Sequence, residues 1–74
     1  MKEIQDWFWR KPRRLRGAEL AGTDNANRWF LDADLREADL SDAIVDGANL
    51  EGADLRGASI KNAHIAHANL CDVK

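Results

Sequence analysis

From Ala33 to Asp72 the apolar positions recur every five residues. Ala opens each unit at 33, 38, 43, 48, 53, 58, 63 and 68, and an aliphatic residue stands third, at Leu35, Leu40, Val45, Leu50, Leu55, Ile60, Ile65 and Leu70. An α-helix turns about 100° per residue, so positions five apart are displaced by about 140° and share no stripe. In an extended segment, residues two apart share a face, so each Ala-x-aliphatic triplet predicts a short strand with two inward side chains. Because five is odd, an unbroken strand would turn alternate triplets outward. The chain must therefore bend once per unit. The fifth slot supplies the bend. All five glycines (Gly17, Gly22, Gly47, Gly52, Gly57) share that phase with Asn27, Asp32, Asp42, Asn62 and Asp72, leaving Glu37 and His67 as exceptions. Gly, Asn and Asp tolerate the positive φ of tight turns. A short unit unable to bury its own apolar residues must stack on its neighbours, which predicts a solenoid.

These units, A-D-L-R-E, A-N-L-E-G and their neighbours, resemble the pentapeptide-repeat family, whose repeat reads approximately A-(D/N)-L-x-x. With degenerate units included, the resemblance covers residues 13–72. It implies an all-β fold, a right-handed quadrilateral β-helix with four pentapeptides per turn and about three coils. Side chains twenty apart would then stack, Leu35 on Leu55, Leu40 on Ile60, Val45 on Ile65, with Phe30, Leu50 and Leu70 in one column.

The chain divides into three segments. Residues 1–12 form an N-terminal cap and basic linker: Ile4, Trp7 and Phe8 fall at i, i+3 and i+4, which predicts a short α-helix ending before Pro12. Solenoid ends need covering, so this helix is expected to plug the first coil. Residues 13–32 form a degenerate first coil. Asn25 stands where an aliphatic belongs and Arg28 where Ala belongs, and a buried amide needs partners, so a local distortion is expected near 24–28, with register restored at Phe30. Trp29 and Leu31 then face outward, to be covered by Trp7 and Phe8. Residues 33–72 are the regular coils.

Seventy-four residues allow one small domain. Apolar runs are too short for a transmembrane helix, and the lone Cys71 excludes an internal disulfide and suits a reducing, cytoplasmic setting. Residues 1–16 carry six Lys/Arg against two Asp/Glu, net +4, whereas residues 17–74 carry five against eleven, net −6. A basic head thus precedes acidic coils. Residues 10–16, with Arg13, Arg14 and Arg16, read either as a solvated linker or as a contact for nucleic acid or an anionic membrane.

His64, His67, Cys71 and Asp72 resemble a metal set in spacing, but the coil would place them on different sides and corners, so no metal site is expected. No nucleophile–base pairing, glycine-rich phosphate loop or converging carboxylate pair is visible. A narrow coil filled with aliphatics is expected to leave no room for a pocket of about 300 Å3. No enzyme activity and no cofactor are expected. The reading is a structural or protein-interaction module with an unknown protein partner. After Leu70, Cys71, Asp72, Val73 and Lys74 supply nothing to close the last coil. An uncovered core end bounded by Leu70 and Val73 would invite an end-to-end homodimer or continue into further coils. The resemblance also implies an alternative, because some family members mimic DNA as acidic rods and inhibit or protect DNA gyrase. A rod of roughly 15 Å, however, matches only about four base pairs.

Overall fold

The computed structural model describes residues 13–74, and the fold is dictated by a repeating backbone ladder. The expected N-terminal helix, with Trp7 and Phe8, lies outside the described residues. Eight isolated parallel β-bridges join residues twenty apart, from Arg14 with Asp34 to Asn49 with Asn69. Twenty residues, or four units, therefore complete one coil. Residues 13–32, 33–52 and 53–72 form three coils of a β-helix solenoid, and Val73 and Lys74 begin a fourth. No helix or longer strand occurs among the described residues.

Within each unit every slot has a fixed backbone task. The second-slot N–H donates to the first-slot carbonyl of the preceding coil, as Asp54 N to Ala33 O at 2.9 Å. The third- and fifth-slot N–H groups donate forward to the following coil, as Leu35 N to Asp54 O at 2.8 Å and Glu37 N to Arg56 O at 3.0 Å. The first-slot N–H closes the corner on the third-slot carbonyl before it, as Ala38 N to Leu35 O at 3.1 Å. Closing that corner forces the fifth residue to positive φ in all twelve units, between 55° at Asp32 and 75° at Gly57.

The remaining N–H, in the fourth slot, explains the Asp and Asn of the second. Asp34, Asp39, Asn49, Asp54 and Asn69 each accept that N–H on the side-chain oxygen, from Arg36, Ser41, Glu51, Arg56 and Cys71 at 3.0–3.2 Å. These are Asx turns. Where His64 occupies the second slot, the Ala66 N–H instead donates to Asp46 of the coil before it, at 3.0 Å.

The distortion expected near residues 24–28 is absent. Asp24 bridges Ile44, Asn25 N donates to Ile44 O at 2.6 Å, and Asn27 takes the corner at φ 61°. The ladder is made by backbone, so the altered side chains do not break it. Asn25 stays inside, 5% exposed, because Thr23 stands in the adjacent first slot. The Asn25 Nδ2 donates to Thr23 Oγ1 at 2.7 Å, and that hydroxyl donates to Leu20 O at 2.6 Å.

Ala33, Leu35, Ala43, Ala48 and Ala53 are fully buried, with Phe30, Val45 and Leu50 at 3% exposure. The filled core sits in the middle coil and at the fourth side of the first.

Candidate functional site

The two ends of the core differ. Phe30 and Asn25 of the first coil are buried, whereas Ile60, Ile65 and Leu70 of the last are 52%, 43% and 42% exposed. Their columns continue the buried Leu40, Val45 and Leu50, and nothing among the described residues stands beyond them. Together with Leu55, Ala63 and Val73 they line an entirely apolar concavity of about 320 Å3. This corrects the expectation that so narrow a coil leaves no such space. The interior is filled, but the cavity opens at its end. Leu70 and Val73 do lie there, as their sequence position suggested.

The rim has a definite polarity. Among the described residues the forward-pointing amides of the last coil meet no further coil, so the N–H groups of Ile60, Asn62, Ile65, His67, Leu70 and Asp72 have no backbone acceptor there, and the carbonyls of Ala58, Ala63 and Ala68 no backbone donor. Only the first side is partly covered, where Leu55 N donates to Lys74 O at 2.9 Å and Lys74 N to Ala53 O at 3.0 Å.

The four sides differ in charge. The side built from units 13–17, 33–37 and 53–57, with Lys74, carries six Lys/Arg against three Asp/Glu, net +3, and each of the other three is −2. Arg14 and Arg16 are exposed there, while Arg13 occupies an inward first slot and is half-buried. Below them Arg36 and Arg56 fork onto their own Asx carboxylates: Nη2 to Oδ2 is 2.7 Å in Arg36–Asp34 and 2.6 Å in Arg56–Asp54. Arg16 reaches Glu37 at 3.0 Å. The guanidinium of Arg36 holds Asp34 well below the usual carboxylate range, and that of Arg56 brings Asp54 down to about 2. The Ser41 hydroxyl and N–H lower Asp39 in the same direction.

Trp29 and Leu31 share the fourth side, each 37% exposed. Whether Trp7 and Phe8 cover them lies outside the described residues. His64 and Cys71 occupy different sides and His67 a corner, and the described residues contain no cluster of three or more His, Cys, Asp or Glu able to hold a metal. Among the described residues there is no helix long and apolar enough to cross a membrane.

Residues 33–73 match the family model for pentapeptide repeats, in eight copies. The chain is a pentapeptide repeat protein. It is similar to the crystal structure of a pentapeptide repeat protein from Nostoc Pcc 7120, with 30% identity and a TM-score of 0.65 over 99% of this chain and 72% of that one. The comparison with curated proteins gave no match. In this pentapeptide repeat protein, the twenty-residue stacking places Asp34 and Arg36 over Asp54 and Arg56, as the repeat implies, whereas reading by sequence missed the amide rim and the pairing of each Asp with the Arg two residues on. The ladder has a visible signal, since Arg16, Arg36 and Arg56 stand twenty apart.

Proposed function

We propose that this pentapeptide repeat protein is a non-enzymatic structural and protein-interaction module whose partner docks on the C-terminal coil end. The observation that carries the reading is the unfinished core: three aliphatic columns that are buried at Leu40, Val45 and Leu50 emerge more than 40% exposed at Ile60, Ile65 and Leu70. Burying such side chains is worth about 1.5–3 kcal/mol each when complete, so a partner that covers them gains the part still open to water. In the simplest assembly two copies meet through these ends. The coil is right-handed in this proposal, and a cap from residues 1–12, outside the described residues, belongs to the same proposal. A cytoplasmic location accords with the single exposed Cys71. Light-scattering mass across a range of concentrations tests the assembly. A concentration-dependent dimer that Ile65→Asp returns to monomer is expected, and a monomer throughout removes the homodimer.

The +3 side favours a second reading, contact of Arg14, Arg16 and Lys74 with a polyanion, either nucleic acid or anionic membrane. Its test is retention on an oligonucleotide or an anionic vesicle at low salt, lost on Arg14→Ala with Arg16→Ala; no retention by the unaltered chain removes it. The same side argues against gyrase regulation by DNA mimicry, which calls for negative charge on the face presented. A supercoiling assay with gyrase, unaffected by this protein, is the expected result.

A further inference from the structure

The corner that closes the basic side is built unlike the other three. Its fifth-slot column reads Gly17, Glu37, Gly57, two glycines around one long side chain, whereas each of the other corner columns holds a single glycine. A Cβ at Gly17 would meet nothing within 4 Å, and one at Gly57 would meet Glu37 of the coil before it. The missing side chains leave an open groove of about 350 Å3, lined by Arg16, Arg36, Glu37, Arg56 and Gly57. Glu37 itself stands at φ 62°, a conformation that suits Gly, Asn or Asp better than a long side chain. We infer that this groove binds a phosphate monoester through Arg16 and Arg36, with Glu37 as the carboxylate that the ligand displaces. The inference rests on the reading of the basic side as an anion contact and names the group it takes.

The arginines recur every twenty residues, so their rungs are about 4.8 Å apart. At that spacing one tetrahedral oxyanion can accept from two neighbouring guanidiniums. Arg36 is already set in place. Its Nε and Nη2 donate to Asp34 at 2.8 and 2.7 Å, and its Nε lies 3.9 Å from Asp54 Oδ2 in the following coil. That fork uses two of the five N–H groups of an arginine and leaves three for a ligand. A guanidinium held in this way has little rotamer freedom left to lose, so binding orders little that is not ordered already. Arg56 repeats the arrangement on Asp54, at 2.9 and 2.6 Å, and extends the row. Arg16 is held by less: its Nε donates to Glu37 at 3.0 Å, and the two side chains are 57% and 62% exposed. An exposed pair of this kind contributes little. A monoester brings about 1.5–2 negative charges and three acceptor oxygens, so it makes charge-assisted bonds to Arg16 and Arg36 together. A diester brings one charge and is the poorer ligand. The other three sides are each net −2 and repel the same group, which confines it to this corner.

The test is a titration of the full chain with methyl phosphate at constant ionic strength, followed through the Nε–Hε signals of Arg16, Arg36 and Arg56 in 1H–15N spectra. Inorganic phosphate, dimethyl phosphate and sodium chloride are the comparison ligands. Saturating shifts at Arg16 and Arg36 are expected with methyl phosphate and inorganic phosphate, several-fold weaker binding with dimethyl phosphate, and none with chloride. Glu37→Gln removes the competing carboxylate and should tighten binding several-fold. Arg16→Gln should weaken it several-fold, and so should Arg36→Lys, which keeps the charge but loses the fork. Unchanged backbone amide spectra show that each variant keeps the coil. Shifts that grow without saturating, equal binding of monoester and diester, or Glu37→Gln and Arg36→Lys chains that bind as the unaltered one does, overturn the proposal. Retention of the same preparations on an oligonucleotide separates the two levels. An oligonucleotide bound without saturable monoester binding leaves the polyanion contact standing and refutes the built groove, and no binding of either removes both.

Discussion

The buried Asn25–Thr23 pair offers a sharp energetic test of the coil. Asn25 is 5% exposed and its Nδ2 is held by Thr23 Oγ1 at 2.7 Å, while the same hydroxyl donates to Leu20 O. Thr23→Ala restores the small residue that the other regular units carry in that slot, yet leaves the Asn25 amide buried without this acceptor. Stranding it costs about 1–3 kcal/mol. Asn25→Val places in the column the residue that already stands at Val45 beneath it, and the Thr23 hydroxyl keeps its bond to Leu20; the change is expected to be neutral or stabilising by up to about 1–2 kcal/mol. In the Asn25→Val background, Thr23→Ala loses only the bond to Leu20, about 1 kcal/mol or less. The double-mutant cycle should therefore show a coupling of about 1–2 kcal/mol, with the doubly substituted chain no more than about 1 kcal/mol less stable than the starting one. Urea unfolding followed by circular dichroism measures all four chains, read at unchanged m-value. Additivity within about 0.5 kcal/mol would refute the claim that the hydroxyl is what allows an amide into the core.

Leu35→Ala, at a side chain that is completely buried with coils on both sides, should cost about 3–5 kcal/mol, whereas Leu70→Ala at the open end should cost about 1 kcal/mol. Equal losses by urea titration would show that the last column is not exposed in solution. Gly52→Ala puts a Cβ on the Asp32 Oδ1 of the coil before it, at a φ of 71°, and should lower stability by at least about 1–2 kcal/mol. Glu37→Asn relieves a non-glycine, non-Asx corner and gives up a solvent-exposed pair with Arg16. A gain of a few tenths to about 1 kcal/mol in calorimetry is expected, and a loss would mean that pair outweighs the corner. Asp54 has a folded pKa of about 2, depressed below its ordinary value. Its stabilisation is therefore complete above the unfolded value of about 3.9 and lost as pH falls through the folded one. The thermal midpoint should fall across that window, and Arg56→Gln should flatten part of the fall; an identical slope in both chains would remove the Asp54–Arg56 pair as its source.

The period is readable because five is incompatible with a helix and with a flat strand alike, so Ala33, Leu35 and the fifth-slot residues determine the coil together. The second-slot Asp and Asn are visible as a pattern but not as a mechanism. Their partner is the fourth-slot N–H, and an amide contributes no letter to the sequence. Asn25 misleads for the same reason in reverse: its side chain breaks the pattern, while the backbone ladder through Asn25 N and Asn27 N is indifferent to it. The rim of the last described coil follows from the twenty-residue register. Its polarity is not legible, since the unequal number of donors and acceptors emerges only when each slot's N–H is traced to its acceptor.

The twenty-residue register separates what fills the coil from what decorates it. Inserting or deleting one whole unit at a corner keeps every aliphatic residue inside and every turn at its fifth residue, but rotates all downstream units by one side. Removing residues 48–52, for example, would move Arg56 away from beneath Arg36 onto the side now occupied by Asn49 and Glu51. The core would be unchanged in kind while the basic side was dismantled. In this architecture surface charge is set by counting units, and its evolution can proceed by slippage of whole repeats without passing through a misfolded chain.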